Sequence, residues 1–120
     1  MNKNTAISFN LKSGRITIFK TTLTALGYPE YYSFMFSPED KTFGIEPCQM
    51  NDGGAHRYLQ QKTGRQYSIS VKALVRFVYE TCGWSEGTSY RVPGLSGDNA
   101  VYFDLKKAVE IGTGRVTREE

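Results

Sequence analysis

The chain has 120 residues, a formal net charge of +3, 39% hydrophobic and 13% aromatic residues, which suits one domain rather than two independent cores. No apolar run reaches membrane-span length and no cleavable signal pattern opens the chain, so a cytoplasmic protein without membrane contact is expected. Cys48, Cys82 and the lone His56 are too few for a disulfide scaffold, a zinc site or a triad built on several imidazoles, so no metal, cofactor or catalytic residue is assigned.

Residues 6–11 alternate Ile7, Phe9 and Leu11 with polar neighbours, the period of a strand. Ser13-Gly14 signals a turn, and Arg15–Phe19 alternates again, completing a hairpin. A short helix is predicted from Lys20 to Leu26, with Gly27 placed for a left-handed cap. Tyr32, Phe34 and Phe36 mark a half-buried strand over 31–36, more often core than stacking platform. Ser37-Pro38-Glu39-Asp40 makes a turn, and Phe43 and Ile45 lie on a returning strand stopped by Pro47.

Residues 49–55, with Asn51-Asp52-Gly53-Gly54, read as a linker, and His56 is expected exposed in a polar loop. A strand over Arg57–Gln60 and a turn at Lys62–Gly64 follow. A longer helix comes next, capped by Ser70, with Val71, Leu74, Val75 and Val78 on one face and Gly83 as its stop. Thr88–Val92 and Ala100–Asp104 form a second aromatic hairpin around Pro93-Gly94 and Ser96–Asn99. Leu105–Ile111 reads as a short helix with Leu105, Ala108 and Val109 on one face, and the polar end Gly112–Glu120 is expected to fray.

The two halves repeat one another. Lys12-Ser13-Gly14-Arg15 returns as Lys62-Thr63-Gly64-Arg65, Ile16-Thr17-Ile18 as Tyr67-Ser68-Ile69, Leu23 and Leu26 as Leu74 and Phe77, and Gly27-Tyr28 as Gly83-Trp84. Ser33-Phe34-Met35-Phe36 likewise answers Ser89-Tyr90-Arg91-Val92. The chain therefore divides into a first repeat at 6–48, the linker 49–55, a second repeat at 56–105 and a tail at 106–120, all in a single domain. Each repeat alone sits near the lower limit for an independent core, so mutual burial is expected. Tyr28 and Trp84 should occupy equivalent niches.

Residues 13–20, Ser-Gly-Arg-Ile-Thr-Ile-Phe-Lys, together with Ala25-Leu26-Gly27 and the closing hairpin at Glu46-Pro47, resemble the swapped-hairpin domain of the AbrB/SpoVT family of bacterial transition-state regulators and antitoxins. The resemblance spans Ile7–Cys48 directly and extends more faintly over the second repeat. It implies a mainly β fold with short helices, in which two interlocking units close a barrel that binds DNA. Here both units lie in one chain, so either a monomeric pseudo-dimer or a homodimer is implied. The chain departs from the family pattern at Phe19, where proline is usual, at Thr22-Leu23, where an apolar–arginine pair is usual, and at Tyr28–Tyr31, where a Pro-Gly-Asp turn is usual. In the second repeat the lysine is displaced to Lys72.

The expected DNA contacts are Lys12, Arg15, Lys62 and Arg65 at the two basic turns, widened by Lys20, Lys72 and Arg76 on the helices. Arginine makes forked hydrogen bonds to phosphate, lysine adds point charge, and glycine lets the backbone approach closely. A charge of +3 permits such a partner without demanding one. The function expected is that of a small bacterial or phage DNA-binding regulator, and not an enzyme. The alternative is a protein-interaction module on the same fold, such as an antitoxin-like partner or a mobile-element-encoded inhibitor of a nucleic-acid-binding enzyme.

Overall fold

A computed structural model describes residues 5–57 and 66–111. In chain order these form β1 (Ala6–Asn10), β2 (Arg15–Phe19), α1 (Lys20–Leu26), β3 (Tyr31–Ser37), β4 (Thr42–Pro47), β5 (His56–Arg57), β6 (Gln66–Ser70), α2 (Lys72–Cys82), β7 (Tyr90–Ser96), β8 (Val101–Asp104), a single 3-10 turn (Leu105–Lys107) and β9 (Val109–Glu110). The protein is mainly β. One curled antiparallel sheet runs β5-β3-β4-β8-β7-β1-β2-β6, with β9 added alongside β7.

The strand order interleaves the two halves. Hairpin β1–β2 lies between β7 and β6, both from the second half. Hairpin β3–β4 lies between β5 and β8, again both from the second half. In the β2–β6 ladder Thr17 faces Ser68, Ile16 faces Ile69 and Ile18 faces Tyr67. Residues that answer one another in the sequence thus pair in reversed order about Thr17–Ser68, where the two hydroxyl oxygens are 2.9 Å apart.

Alternation sets which side chains turn inward. Ile7, Phe9, Ile16, Ile18, Phe43, Ile45, Val92, Val101 and Phe103 are fully buried, and the residues between them on β1 and β2 are more accessible. Tyr32 and Tyr90 join this core, while Phe34 and Phe36 pack against it half-buried, so these aromatics serve packing. α2 adds Val75, Val78 and Tyr79 at the expected spacing. Tyr79 also donates its hydroxyl to the carbonyls of Phe9 (3.2 Å) and Thr88 (2.6 Å), joining both halves.

Both helices stop as expected. Gly27 and Gly83 are left-handed, at φ +78° and +67°, and the next residues, Tyr28 and Trp84, donate to the carbonyls of Leu23 and Tyr79 at 3.0 Å. The side chains then diverge. Trp84 stacks on Tyr90 with centroids 4.4 Å apart, whereas Tyr28 is 42% exposed, so the niches are not equivalent.

Several expectations need correction. Ser70 does not cap α2: it remains in β6, and Val71 holds the cap position without a side-chain hydrogen bond. Pro93-Gly94 is not a turn but the middle of β7, where that strand passes from pairing with Ala6 to pairing with Phe103. A Cβ at Gly94 would meet the Phe103 ring within 3 Å, so glycine lets the two layers close up there. The turn itself is made by Gly97 and Ala100. Leu105–Ile111 is a 3-10 turn followed by β9 rather than a helix, and Val109 is 59% exposed. His56 is half-buried in β5, against the rings of Tyr32 (5.6 Å) and Phe34 (5.1 Å), not exposed in a loop. Tyr58–Gln60 and the expected turn at Lys62–Gly64 lie outside the described residues, as does the end from Gly112.

Candidate nucleic-acid interface

The side chains that alternate outward from the β7–β1–β2–β6 layer form three cross-strand rows. Asn10 faces Arg15, which faces Ser70, and Asn10 also donates from its amide to Ser89 Oγ at 2.6 Å. The central row runs Arg91, Ser8, Thr17, Ser68. Along the third, Pro93 pairs with the buried Ala6, and Phe19 with Gln66. None of these four strands contains an aspartate or glutamate. The surface presents small hydroxyls, an amide and guanidinium groups, which can donate to phosphate oxygens and to base edges.

The turn between β1 and β2 is pressed against the start of α2. Gly14 has φ +68°, a conformation that disfavours a side chain, and a Cβ there would run into the Lys72 side chain and lie 3.1 Å from its Cα. Its carbonyl accepts the Val71 N–H at 2.8 Å, so the first-half turn supplies a backbone partner just before the second-half helix. Asn10 Oδ1 closes the turn by accepting the Ser13 N–H (2.8 Å) and hydroxyl (2.9 Å).

This packing gathers Lys12, Arg15 and Lys72 at one end of the layer, all exposed, with Arg76 one helical turn farther along α2. Arg76 borders a cleft of about 210 Å³ with Leu11, Tyr79, Glu80, Gly83, Trp84 and Glu86, and exposed Glu110 of β9 pairs with Tyr90 alongside β7. Lys20 stands apart: it opens α1 at the opposite end of β2, about 16 Å from Arg15 along the strand. Lys62 and Arg65 lie outside the described residues. Among the described residues the one ion pair is Lys106–Asp104 at 3.1 Å, away from this face.

Arg91 was missed by reasoning on motifs, because the turns drew attention and Arg91 sits in mid-strand. It stands on the outward central row with its guanidinium carbon 4.8 Å above the Phe19 ring. A stronger signal was also present in the sequence. Residues 1–29 and 53–79 hold nine of the fifteen Lys and Arg residues and none of the twelve acids. Those stretches carry +9 and the remainder −6, which the net +3 conceals.

The other chemistry-bearing groups are dispersed. Burial raises the thiols of Cys48 and Cys82 away from the reactive thiolate, and both are free. Burial also lowers the basicity of His56. Among the described residues no three His, Cys, Asp or Glu side chains gather as a metal site, and no helix is long and apolar enough to cross a membrane. Comparison with protein-family models, curated proteins and solved structures finds no match in any of the three.

Proposed function

We propose that the protein is a duplex-DNA-binding regulator built as an internally duplicated, swapped-hairpin barrel of the AbrB/SpoVT kind, with the β7–β1–β2–β6 layer turned toward DNA. The observation that carries the reading is the acid-free outward face, centred on Thr17–Ser68 and backed by Lys12, Arg15, Lys72 and Arg76. β6 ends the strand order among the described residues, and the outward hydroxyls of β2 and β6, with Arg15, suit base edges and phosphates. The flanking lysines suit phosphates. The interleaved strand order supports the duplicated barrel: hairpin β1–β2 lies between β7 and β6, and hairpin β3–β4 between β5 and β8.

A gel-shift titration of mixed-sequence duplex DNA at low salt tests the proposal. Retardation by the wild type, weakened in Arg15→Ala, is expected. No retardation of any fragment overturns it.

The second reading, a protein-interaction module, is favoured by one observation. Where β7 runs on to pair with β8, Leu95 (77% exposed) and Tyr102 (46%) face each other, in register with Gly44 and Met35. A stoichiometric protein partner recovered without DNA would move the assignment to this reading.

A further inference from the structure

We infer that the cleft between α2 and the residue after β1 binds a small zwitterion, a free amino acid with an apolar or aromatic side chain. The cleft holds about 210 Å³, less than the roughly 300–1,000 Å³ of sites for larger ligands, so it suits a molecule of amino-acid size. Both signs of charge line it. Arg76 stands on α2 one turn before Glu80, and Glu86 follows in the turn after the helix. All three are exposed, and no hydrogen bond or ion pair among the described residues occupies their side chains. A carboxylate in the cleft would take forked hydrogen bonds from Arg76. An ammonium would sit toward Glu80 and Glu86. The last turn of α2 holds no basic residue, so the negative end of the helix at Gly83 also favours a cation there. An anion alone would meet two carboxylates, and a cation alone would meet the guanidinium. A ligand carrying both charges meets neither conflict.

The less exposed part of the lining is apolar and held in place. Trp84 stacks on Tyr90 at 4.4 Å and meets Phe9 (5.5 Å) and Tyr79 (5.2 Å) edge-on. Tyr79 is itself fixed by its two hydrogen bonds to backbone carbonyls. The Ser85 N–H donates to the Tyr90 hydroxyl at 3.0 Å, and the Thr88 N–H donates to the Ser85 carbonyl at 3.2 Å. The turn that carries Glu86 is therefore tied to the ring on which Trp84 stacks. Half-buried Leu11 adds a further apolar contact. Fixed rings beneath exposed charges need little ordering when a ligand enters.

Trp84 is the only tryptophan in the chain, so its fluorescence reports on the cleft. Titration of the wild type with each apolar and aromatic amino acid, by fluorescence and calorimetry, tests the inference. The tightest binder is then compared with its amine, which lacks the carboxylate, and its acid, which lacks the ammonium. At least one amino acid should bind with a Kd below about 1 mM, and its amine and acid about 10-fold or more weakly. Arg76→Met, and Glu80→Gln with Glu86→Gln, should each weaken binding about 10-fold while leaving the thermal midpoint near that of the wild type, since all three side chains are exposed. No binding of any amino acid up to about 10 mM overturns the inference. An amine or acid that binds as tightly as the amino acid refutes the zwitterion. Affinity unchanged in both variants places the ligand elsewhere and refutes the site. These measurements contain no DNA, so their failure leaves the DNA reading standing, and a failed gel shift leaves this site standing.

Discussion

Gly14→Ala probes the contact by which the first repeat grips the second. Holding a non-glycine residue in the left-handed region costs about 1–2 kcal/mol. The new methyl group also collides with Lys72, whose Cβ and Cα would lie 3.0 and 3.1 Å away, adding about 1–3 kcal/mol of overpacking. The expected loss is about 2–5 kcal/mol, lowering the thermal midpoint by roughly 8–20 °C for a chain of this size. Gly27→Ala is the control. Its φ of +78° imposes similar strain, but nothing lies within 4 Å of its added Cβ, so about 1–2 kcal/mol is expected. Thermal and urea denaturation of both variants gives the difference, and Lys72→Ala in the Gly14→Ala background should recover part of it as a non-additive coupling. If Gly14→Ala is no more harmful than Gly27→Ala, the turn does not bear on α2 and the interlocked arrangement fails.

Other expectations follow from buried polar groups. Thr22 Oγ1 accepts the Ala6 N–H at 2.9 Å and donates to the Ala6 carbonyl at 2.8 Å, both buried, so Thr22→Val should cost about 2–4 kcal/mol in urea denaturation, and Thr22→Ser clearly less. Burial pushes the Tyr79 hydroxyl up to about 12 from the ordinary tyrosine value. The unfolded chain therefore loses this proton first, and stability should fall as pH rises from about 10 to 12. Tyr79→Phe should be less stable at neutral pH, having lost its hydrogen bonds, yet show a shallower alkaline decline. His56, lowered by burial, acts in the opposite sense: the unfolded chain binds its proton first, so stability should drop as pH falls below about 6.5. His56→Asn should flatten that part of the denaturation profile.

The strands and helices of the first repeat were legible because alternation, a glycine turn and a glycine helix stop coincide within 6–47. The second half was harder, for identifiable reasons. Pro93-Gly94 has the composition of a turn, yet β7 is paired with two different strands there, and the space for Phe103 against Gly94 exists only in the folded sheet. Ser70 looks like a helix cap, but its ladder partner Arg15 holds it in β6. His56 looked like a loop residue because the aromatic wall it meets, Tyr32 and Phe34, is some twenty residues distant in sequence. For the site, the turn lysine and arginine could be picked out locally. That Lys20 stands a strand length from Arg15 follows from the predicted strand itself, but that Lys72 lies against Gly14 depends on the pairing of β2 with β6, which no local pattern reports. Arg91 needed the register as well.

Charge reversal at two separate sites tests the proposed DNA surface most directly, with fluorescence anisotropy of a labelled duplex measured between about 50 and 200 mM salt. The double change Lys12→Glu with Arg15→Glu should abolish binding, whereas Lys106→Glu with Lys107→Glu, on exposed residues beyond β8, should leave wild-type affinity and salt slope nearly unchanged. Equal losses from both pairs, or a loss from the Lys106–Lys107 pair alone, would contradict the assignment of DNA to the β7–β1–β2–β6 face.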